Sequence, residues 1–417
     1  MTDEIVIGMA GVGTVGSGVY NVLKRNADLI TKRCGHSTRI KTVVCRNIEK
    51  ARLTVDEKVQ LTQNWEEIAN DPDINIVIEI MGGIEPAKSL ILAALRNGKD
   101  VITANKALLA THGNEIFKVA KACHRTVAFE ASVAGGIPII KTLREGLSAN
   151  RIEWIAGIIN GTSNYILTQM QEKGCSFQMA LEQAQALGYA EADPTFDIEG
   201  IDAGHKIAIL SALAFGTEVH FDERHISGIS TLKLEDIECA KRLGYQVKLL
   251  GITRQQENGI DVRVHPTLVP ENGFLSKVNN VMNAVVVKAD AVNTVKLVGP
   301  GAGSEPTASA VIADLVDVIK GRSEPPEFED CNSKWLNLDE VVSAFYVRIP
   351  LETLSEEEIM TCFEENGMTL VNCISDAGQL CGVTNEVNEG QMRLVWESLM
   401  KRMEQPKDAQ LLHLFVD

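Results

Sequence analysis

Several things are scarce or missing in this chain of 417 residues. Its nine cysteines stand singly, an odd number, with no C-x-x-C spacing and no Cys/His cluster at zinc distances. That argues against a disulfide frame or a zinc module and for reduced thiols. Basic residues are outnumbered, 40 Lys and Arg against 56 Asp and Glu, for a formal net charge of −16. A main partner that is nucleic acid or an anionic membrane surface would call for clustered Lys and Arg. No apolar run reaches the roughly 18 residues that span a bilayer. The opening MTDEIVIG is acidic where a signal peptide is positive, and no repeat or low-complexity tract stands out. The expectation is a cytoplasmic protein with no nucleic-acid and no membrane partner, long enough to need two or three domains.

What is there begins as alternation. EIVIGMA, IKTVVCR, INIVIEIMGG, DVITAN and TVAFEASV read as short buried strands. TVGSGVYNVLKRN, EPAKSLILAALRNG and a stretch near Glu115 to Lys121 read as helices. Val- and Ile-rich strands alternating with helices predict an α/β domain over 1–135, a parallel sheet covered on both faces. The rhythm then changes. RIEWIAGIIN, QVKLLGITR, IDVRVHPTLV and NAVVVKADAVNTVKLV predict the longer strands of a mostly antiparallel sheet in an α+β domain over 136–320. Two helical stretches interrupt it, around Asn164 to Glu172 and Ile201 to Phe215. Residues 299–321, a Gly-rich turn entering a helix, are expected to pack back on the first domain. SEPPEFED, 323–330, reads as a linker, and 338–417 as a small third domain running strand, helix, strand, strand, helix.

GVGTVG occupies 11–16, after the first strand and at the start of a helix, and that context gives the G-x-G-x-x-G pattern its meaning. Gly11 allows the tight turn, Gly13 lets backbone approach a pyrophosphate, and Gly16 lets helix and strand pack closely. A Rossmann-type dinucleotide site follows, with Thr14 and Val15 offering N–H groups at the helix start. The same glycines would also serve a plain strand-to-helix turn. The acid that usually grips the adenosine ribose is replaced, after the second strand, by Arg46 and Asn47. An arginine there suits a 2′-phosphate, so NADP is the expected cofactor, with NAD not excluded; a solvated basic turn is the alternative. Gly82 and Gly83 end another strand at the same carboxyl edge, and Lys106, in TANK, ends the next.

In DPTFDIEGIDAGHK, 193–206, Asp193, Asp197, Glu199 and Asp202 precede Lys206. Asp202 and Lys206, four apart at a helix start, share one face. A surface ion pair would look the same. The turn formers and acids just before suggest instead a loop shaped for a polar ligand. Crowded carboxylates favour an ammonium, which can donate a proton to a carbonyl oxygen as hydride reaches the carbon. From the residues alone the reading is a nicotinamide dehydrogenase for a small amino-bearing carbonyl compound, with sugar or hydroxy-acid dehydrogenases still open.

The stretch AQALGYAEADPTFDIEGIDAGHK, 184–206, resembles the signature of the homoserine dehydrogenase family. GVGTVG, IEIMGG, TANK, FEASVAGGIPII, GIINGTSNYILT and GPGAGSEPTASAV are similar to further family blocks in the same order, covering about 4–320. The resemblance implies reversible reduction of L-aspartate 4-semialdehyde to L-homoserine, on the route to threonine and methionine. It implies Lys206 as proton donor and Lys106 as a second lysine touching cofactor and substrate. Glu191 and Asp202 would hold the substrate, with Asp197 and Tyr189 in the pocket wall and Asn160, Gly161 and Thr162 beside it. Gly188 and Gly303 match positions near the nicotinamide. A monovalent cation, usually sodium, is implied at Glu130, Val133, Gly135 and Ile137. A homodimer or homotetramer is the family expectation.

The loop GAGSEPTA departs slightly from the commoner GAGGxPTA but keeps Gly303. From YVRIPLETLSEEEIM onward the chain resembles an ACT domain, with the βαββα order of that small effector module. Its first loop, TLSEEE, carries acids where a Pro-Gly usually meets an amino-acid effector, so a role in subunit association is the expectation. Two alternatives bound the reading. An aspartate semialdehyde dehydrogenase needs a nucleophilic cysteine; none of the nine lies in a glycine loop, and Cys123 alone stands directly beside a histidine, His124. A non-catalytic NAD(P)-sensing regulator would be marked by loss of the two lysines, and both are present.

Overall fold

The computed structural model describes residues 4–322, 328, 334–376, 378–404, 406 and 408–415. All but one residue of the proposed linker, 323–330, lies outside them. The chain divides into two compact units: Met1–Ile152 with Ala208–Phe221 and Lys288–Cys331, and Glu153–Ile207 with Asp222–Val287 and Asn332–Asp417. Residues 338–417 thus group with the second unit.

The first unit is built on six parallel strands: β1 (Ile5–Ala10), β2 (Thr38–Val44), β3 (Gln60–Thr62), β4 (Ile76–Glu79), β5 (Asp100–Thr103) and β6 (Val127–Ala128). Their spatial order is β3-β2-β1-β4-β5-β6, so strand order reverses between β1 and β4, where open α/β sheets bind ligands beyond the carboxyl ends. The strands are apolar almost throughout because helices cover both faces. One buried cluster joins Ile7, Met9, Val43 and Ile78 of the sheet to Val19 and Leu23 of the helix Thr14–Arg25 and to Val311 and Leu315 of the helix Ser304–Ile319. Those two helices lie close: a Cβ on Gly18 would come 2.5 Å from the Ser304 carbonyl oxygen, and the Ser304 hydroxyl donates to Thr14 O at 2.7 Å. TVAFEASV, expected as a full strand, contributes only two strand residues before a 3-10 turn at Glu130–Ser132.

In the second unit β7 (Ile152–Ile158), β8 (Tyr245–Gln256), β9 (Gly259–Pro270) and β10 (Met282–Ala289) are followed, after β11 (Asn293–Pro300), by β12 (Val342–Pro350), β13 (Leu370–Asp376), β14 (Gln379–Thr384), β15 (Val387–Asn388) and β16 (Gln410–Leu414). The sheet runs β10-β7-β8-β9-β16-β12-β14-β13. NAVVVKADAVNTVKLV, read as one strand, is two, β10 and β11, because the chain turns at Asp290–Val292 and Asn293 takes a positive φ of 65°. Two helices, Phe177–Ala186 and Leu234–Arg242, were not anticipated in this region.

The C-terminal part follows the expected βαββα order, with helices at Glu356–Glu365 and Glu389–Arg402. The final strand β16 was not expected. It pairs antiparallel with β12 and parallel with β9, making one continuous sheet. A second buried cluster, from Phe345 and Val347 to Phe363 and Leu399, sits between this end of the sheet and its two helices. Beneath the helix Leu234–Arg242, Arg348 Nε donates to Asp236 Oδ1 at 2.6 Å, with both side chains essentially unexposed.

Candidate active site

The first unit gathers the cofactor candidates at the β1/β4 edge. Gly11 follows β1 with φ of 106°, and a Cβ there would lie 2.6 Å from Ile80 O. The turn and its contact with β4 therefore both demand glycine. A Cβ on Gly16 would meet Gly11 O at 2.3 Å, which explains the third glycine of the motif by packing within the loop. Gly13, the N-cap of the helix Thr14–Arg25, has no protein atom within 4 Å of where its Cβ would stand. Its lack of a side chain leaves room beside a helix N-terminus for a phosphate-bearing group. Arg46 is exposed two residues past β2, whose neighbour in the sheet is β1. Gly303 caps the helix Ser304–Ile319 with φ of 123°.

Lys106 opens the helix Lys106–Ala122, and its neighbours explain how it is held. Asn105 Oδ1 caps that helix by accepting from Leu108 N, while its amide donates to Gly83 O at 2.6 Å, tying the Gly82–Gly83 loop to the helix start. Under the loop lies Glu79, fully buried, accepting from Met81 N and from the Thr103 hydroxyl at 2.9 and 2.6 Å. Burial pushes its carboxyl up, and hydrogen bonds from Thr103, Met81, Gly82 and Asn105 draw it back. Glu79 and Asn105 were not singled out from sequence. A charged residue inside the apolar run IVIEIM was the available signal.

The loop proposed for a cation is in the same unit. Glu130, Val133, Gly135 and Ile137 are all buried. The Glu130 carboxylate accepts from Ile140 N and Lys141 N, both at 2.8 Å. Burial pushes it up to about 7 against those two hydrogen bonds. Each oxygen keeps a further lone pair. Among the described residues no group of three His, Cys, Asp or Glu is placed to hold a metal.

The second unit brings the substrate candidates together. The helix Ile201–Phe215 starts as expected, and Lys206 Nζ donates to Asp202 Oδ2 at 2.6 Å and to Ile159 O at 2.7 Å. Lys206 is 7% exposed and Asp202 3%, so this is a buried pair, far from the surface ion pair that the spacing alone allowed. Asn160 holds it. Placed between β7 and the helix Gly161–Lys173, Asn160 accepts from Ser163 N as N-cap. Its amide donates to Asp202 Oδ2 at 2.9 Å and to Asp197 Oδ1 at 2.7 Å. The Ser163 hydroxyl donates to Asp197 O, and that of Thr162 to Tyr189 O.

Tyr189 is partly exposed, its ring 5.1 Å from that of Tyr165. Glu191 is exposed, its backbone carbonyl accepting from Gln185. Gly188 has φ of 74° in an exposed turn. Asn160, Asp197, Asp202 and Lys206 thus form one hydrogen-bonded cluster. Thr162, two residues after Asn160, holds the Tyr189 backbone, and Glu191 stands on the adjoining exposed loop. The Ile159 carbonyl is a partner of Lys206 that no side-chain pattern announces.

Chemically, the second unit offers a buried ammonium held by a carboxylate, with further acids beside it. The first offers a nucleotide-binding sheet edge. The sequence matches the family model for homoserine dehydrogenase over residues 138–316 and that for the homoserine dehydrogenase NAD-binding domain over 11–130. A homoserine dehydrogenase of Pseudomonas aeruginosa is 51% identical over 323 residues, 78% of this chain and 74% of that one. The crystal structure of a homoserine dehydrogenase from Thiobacillus denitrificans is similar with a TM-score of 0.95 and 44% identity, covering 99% of both chains. A hyperthermophilic archaeal homoserine dehydrogenase in complex with NADPH is similar over 76% of this chain and 98% of that one, with a TM-score of 0.65 and 25% identity.

Proposed function

Because the chain belongs to the homoserine dehydrogenase family, we propose that Lys206 is the proton donor of its reaction, held as an ammonium by Asp202. The activity is reversible, NAD(P)H-dependent reduction of L-aspartate 4-semialdehyde to L-homoserine. Neither alternative, aspartate semialdehyde dehydrogenase or a silent NAD(P) sensor, finds support among the relatives. A reduced nicotinamide bound at the glycine loop would supply the hydride for the aldehyde carbon. Lys206 gives a proton to the oxygen and recovers it in the reverse direction.

The observation that carries this reading is the buried Lys206–Asp202 pair bridged by Asn160. In such a pair the carboxylate favours the ammonium form of the lysine. Glu191 and Asp197 would receive the substrate's ammonium with Asp202, while Tyr189, Gly161 and Thr162 line the pocket. Lys106 would contact cofactor and substrate. The cofactor would lie along Gly11, Gly13, Thr14, Val15, Gly16 and Gly82, with Gly188 and Gly303 near the nicotinamide and Arg46 on a 2′-phosphate.

Lys206→Ala tests the assignment. NADPH-dependent reduction of aspartate semialdehyde should fall by about 10²–10⁴, the usual worth of a positioned acid, while NADPH still quenches or enhances protein fluorescence as in the parent. Full turnover in the variant would remove Lys206 from this role.

Two parts of the reading stand apart from the chemistry. A sodium ion would be held by the Glu130 carboxylate and the backbone carbonyls of Val133, Gly135 and Ile137. Thermal stability that does not respond to replacing sodium with a large organic cation would count against it. The C-terminal ACT-like segment would serve assembly into a homodimer or homotetramer. Its TLSEEE loop is closed by its own capping box, in which Ser355 and Glu358 satisfy each other's backbone N–H groups. A monomer in sedimentation experiments would refute the assembly role.

A further inference from the structure

Lys248 is a charged residue in the middle of the apolar strand β8, 1% exposed. An apolar residue would fill that place at less cost, since a buried ammonium must replace its whole hydration shell. Burial draws Lys248 down to about 8, with the charge of Glu172 opposing. What the lysine gains is three partners. Its Nζ donates to Val278 O at 2.7 Å, to Asn279 Oδ1 at 2.9 Å and to Asn164 Oδ1 at 3.3 Å.

Asn164 is buried in the first turns of the helix Gly161–Lys173. With its oxygen turned to Lys248, its amide nitrogen faces the carbonyls of Val278, Asn280 and Met282, at 3.0 to 3.1 Å. Further along the same helix the Thr168 hydroxyl accepts from Asn280 N at 3.0 Å. At the helix start a Cβ on Gly161 would come 2.9 Å from Val281 O. The turn 278–282, which includes Asn280 at φ of 57°, is therefore fastened along one side of the helix whose N-cap is Asn160.

We propose that Lys248 is a positioning residue for the reaction: with Asn164 it locks the 278–282 turn against the helix Gly161–Lys173, and so fixes where Asn160 holds Asp202 and Lys206. Lys248 touches neither Lys206 nor its partners in the contacts described, and it acts through the helix. The inference rests on Lys206 as proton donor.

The test is Lys248→Met, which keeps an unbranched side chain one atom shorter and removes its donors. Turnover of aspartate semialdehyde should fall at least about tenfold, while the Kd for NADPH, bound by the first unit, stays within about twofold. The loss should be larger at alkaline than at neutral pH, because a displaced Asn160 no longer fixes the carboxylate that keeps Lys206 charged. A merely structural lesion would lower activity equally at all pH values. Thr168→Val, a milder cut in the same clamp, should show a smaller loss with the same pH trend, and it decides the matter if Lys248→Met does not fold.

In a Lys206→Ala background, Lys248→Met should cost nothing more. Parental turnover in both clamp variants would overturn the proposal while leaving Lys206 in place. A further drop in the double variant, as large as in the single, would show that Lys248 does not act through Lys206.

Discussion

Replacing Asp202 by asparagine asks directly whether the carboxylate's charge, rather than its shape, is what the site needs. Asp202 Oδ2 accepts from both Lys206 Nζ and Asn160 Nδ2, at 2.6 and 2.9 Å. An asparagine oxygen can occupy the same point, but the charge is gone. Removing one partner of a buried ion pair costs about 3–5 kcal/mol, since the other charge is left uncompensated. Lys206, 7% exposed, would escape that cost by giving up its proton.

At about 1.4 kcal/mol for each tenfold change, the ammonium form becomes roughly 10²–10⁴ times harder to keep. The sign follows from which form works: the reduction needs the ammonium, so activity is lost from the alkaline side first. Initial rates of semialdehyde reduction should fall about a hundredfold near pH 9 and less than about tenfold near pH 6. NADPH binding, followed by fluorescence, should be unchanged. An equal fractional loss at both ends of the range would mean that Asp202 only binds substrate, and the account of Lys206 would fail.

Two other outcomes are expected. Arg46→Ala should weaken NADPH binding by about tenfold, the worth of one charge-assisted hydrogen bond, and leave NADH binding as it was; equal effects on the two cofactors would refute the 2′-phosphate role. Arg348→Met should lower stability in urea by about 3–5 kcal/mol, because Asp236 stays buried without its cation, and pairing it with Asp236→Leu should recover most of that loss. A double variant no more stable than the single would show that the charge pair is not what holds the helix Leu234–Arg242 over the C-terminal strands.

How much of this could be read beforehand depended on whether the signal was local. The glycine loop announced itself because strand, turn and helix are consecutive, and the structure adds the reason for two of its glycines, Gly11 and Gly16. The helix Ile201–Phe215 was placed to the residue by the run that carries Asp202 and Lys206. What was missed depends on distant pairing. β16 is a five-residue strand at the chain's end whose partners lie on β12 and β9, and nothing in QLLHL says so. The Asp290–Val292 turn between β10 and β11 contains no Gly or Pro, so the apolar pattern runs straight through it. Glu79 and Lys248 are single charges inside apolar strands. Sequence shows such a residue as an exception to the pattern, and only the fold supplies the donors and acceptors that explain it.

The two units meet their tasks by different means. Around the nucleotide edge the work falls to backbone: glycines that remove side chains, a helix start with free N–H groups, a loop tied down by Glu79 and Asn105. Such a site tolerates variation in side chains and is recognised by its glycines. The cluster around Lys206 depends on side chains in a buried setting, where each polar group must be matched. Asn160 shows how tight that matching is. One amide caps a helix with its oxygen and spans two carboxylates with its nitrogen. Its orientation is therefore fixed from three directions, and Asp cannot replace it without setting three carboxylates side by side. The same argument extends outward to Asn164, whose oxygen is turned by Lys248 and whose nitrogen holds the 278–282 turn. Two asparagines one helical turn apart thus link a strand, a turn and a second helix to one ammonium group through an unbroken set of hydrogen bonds.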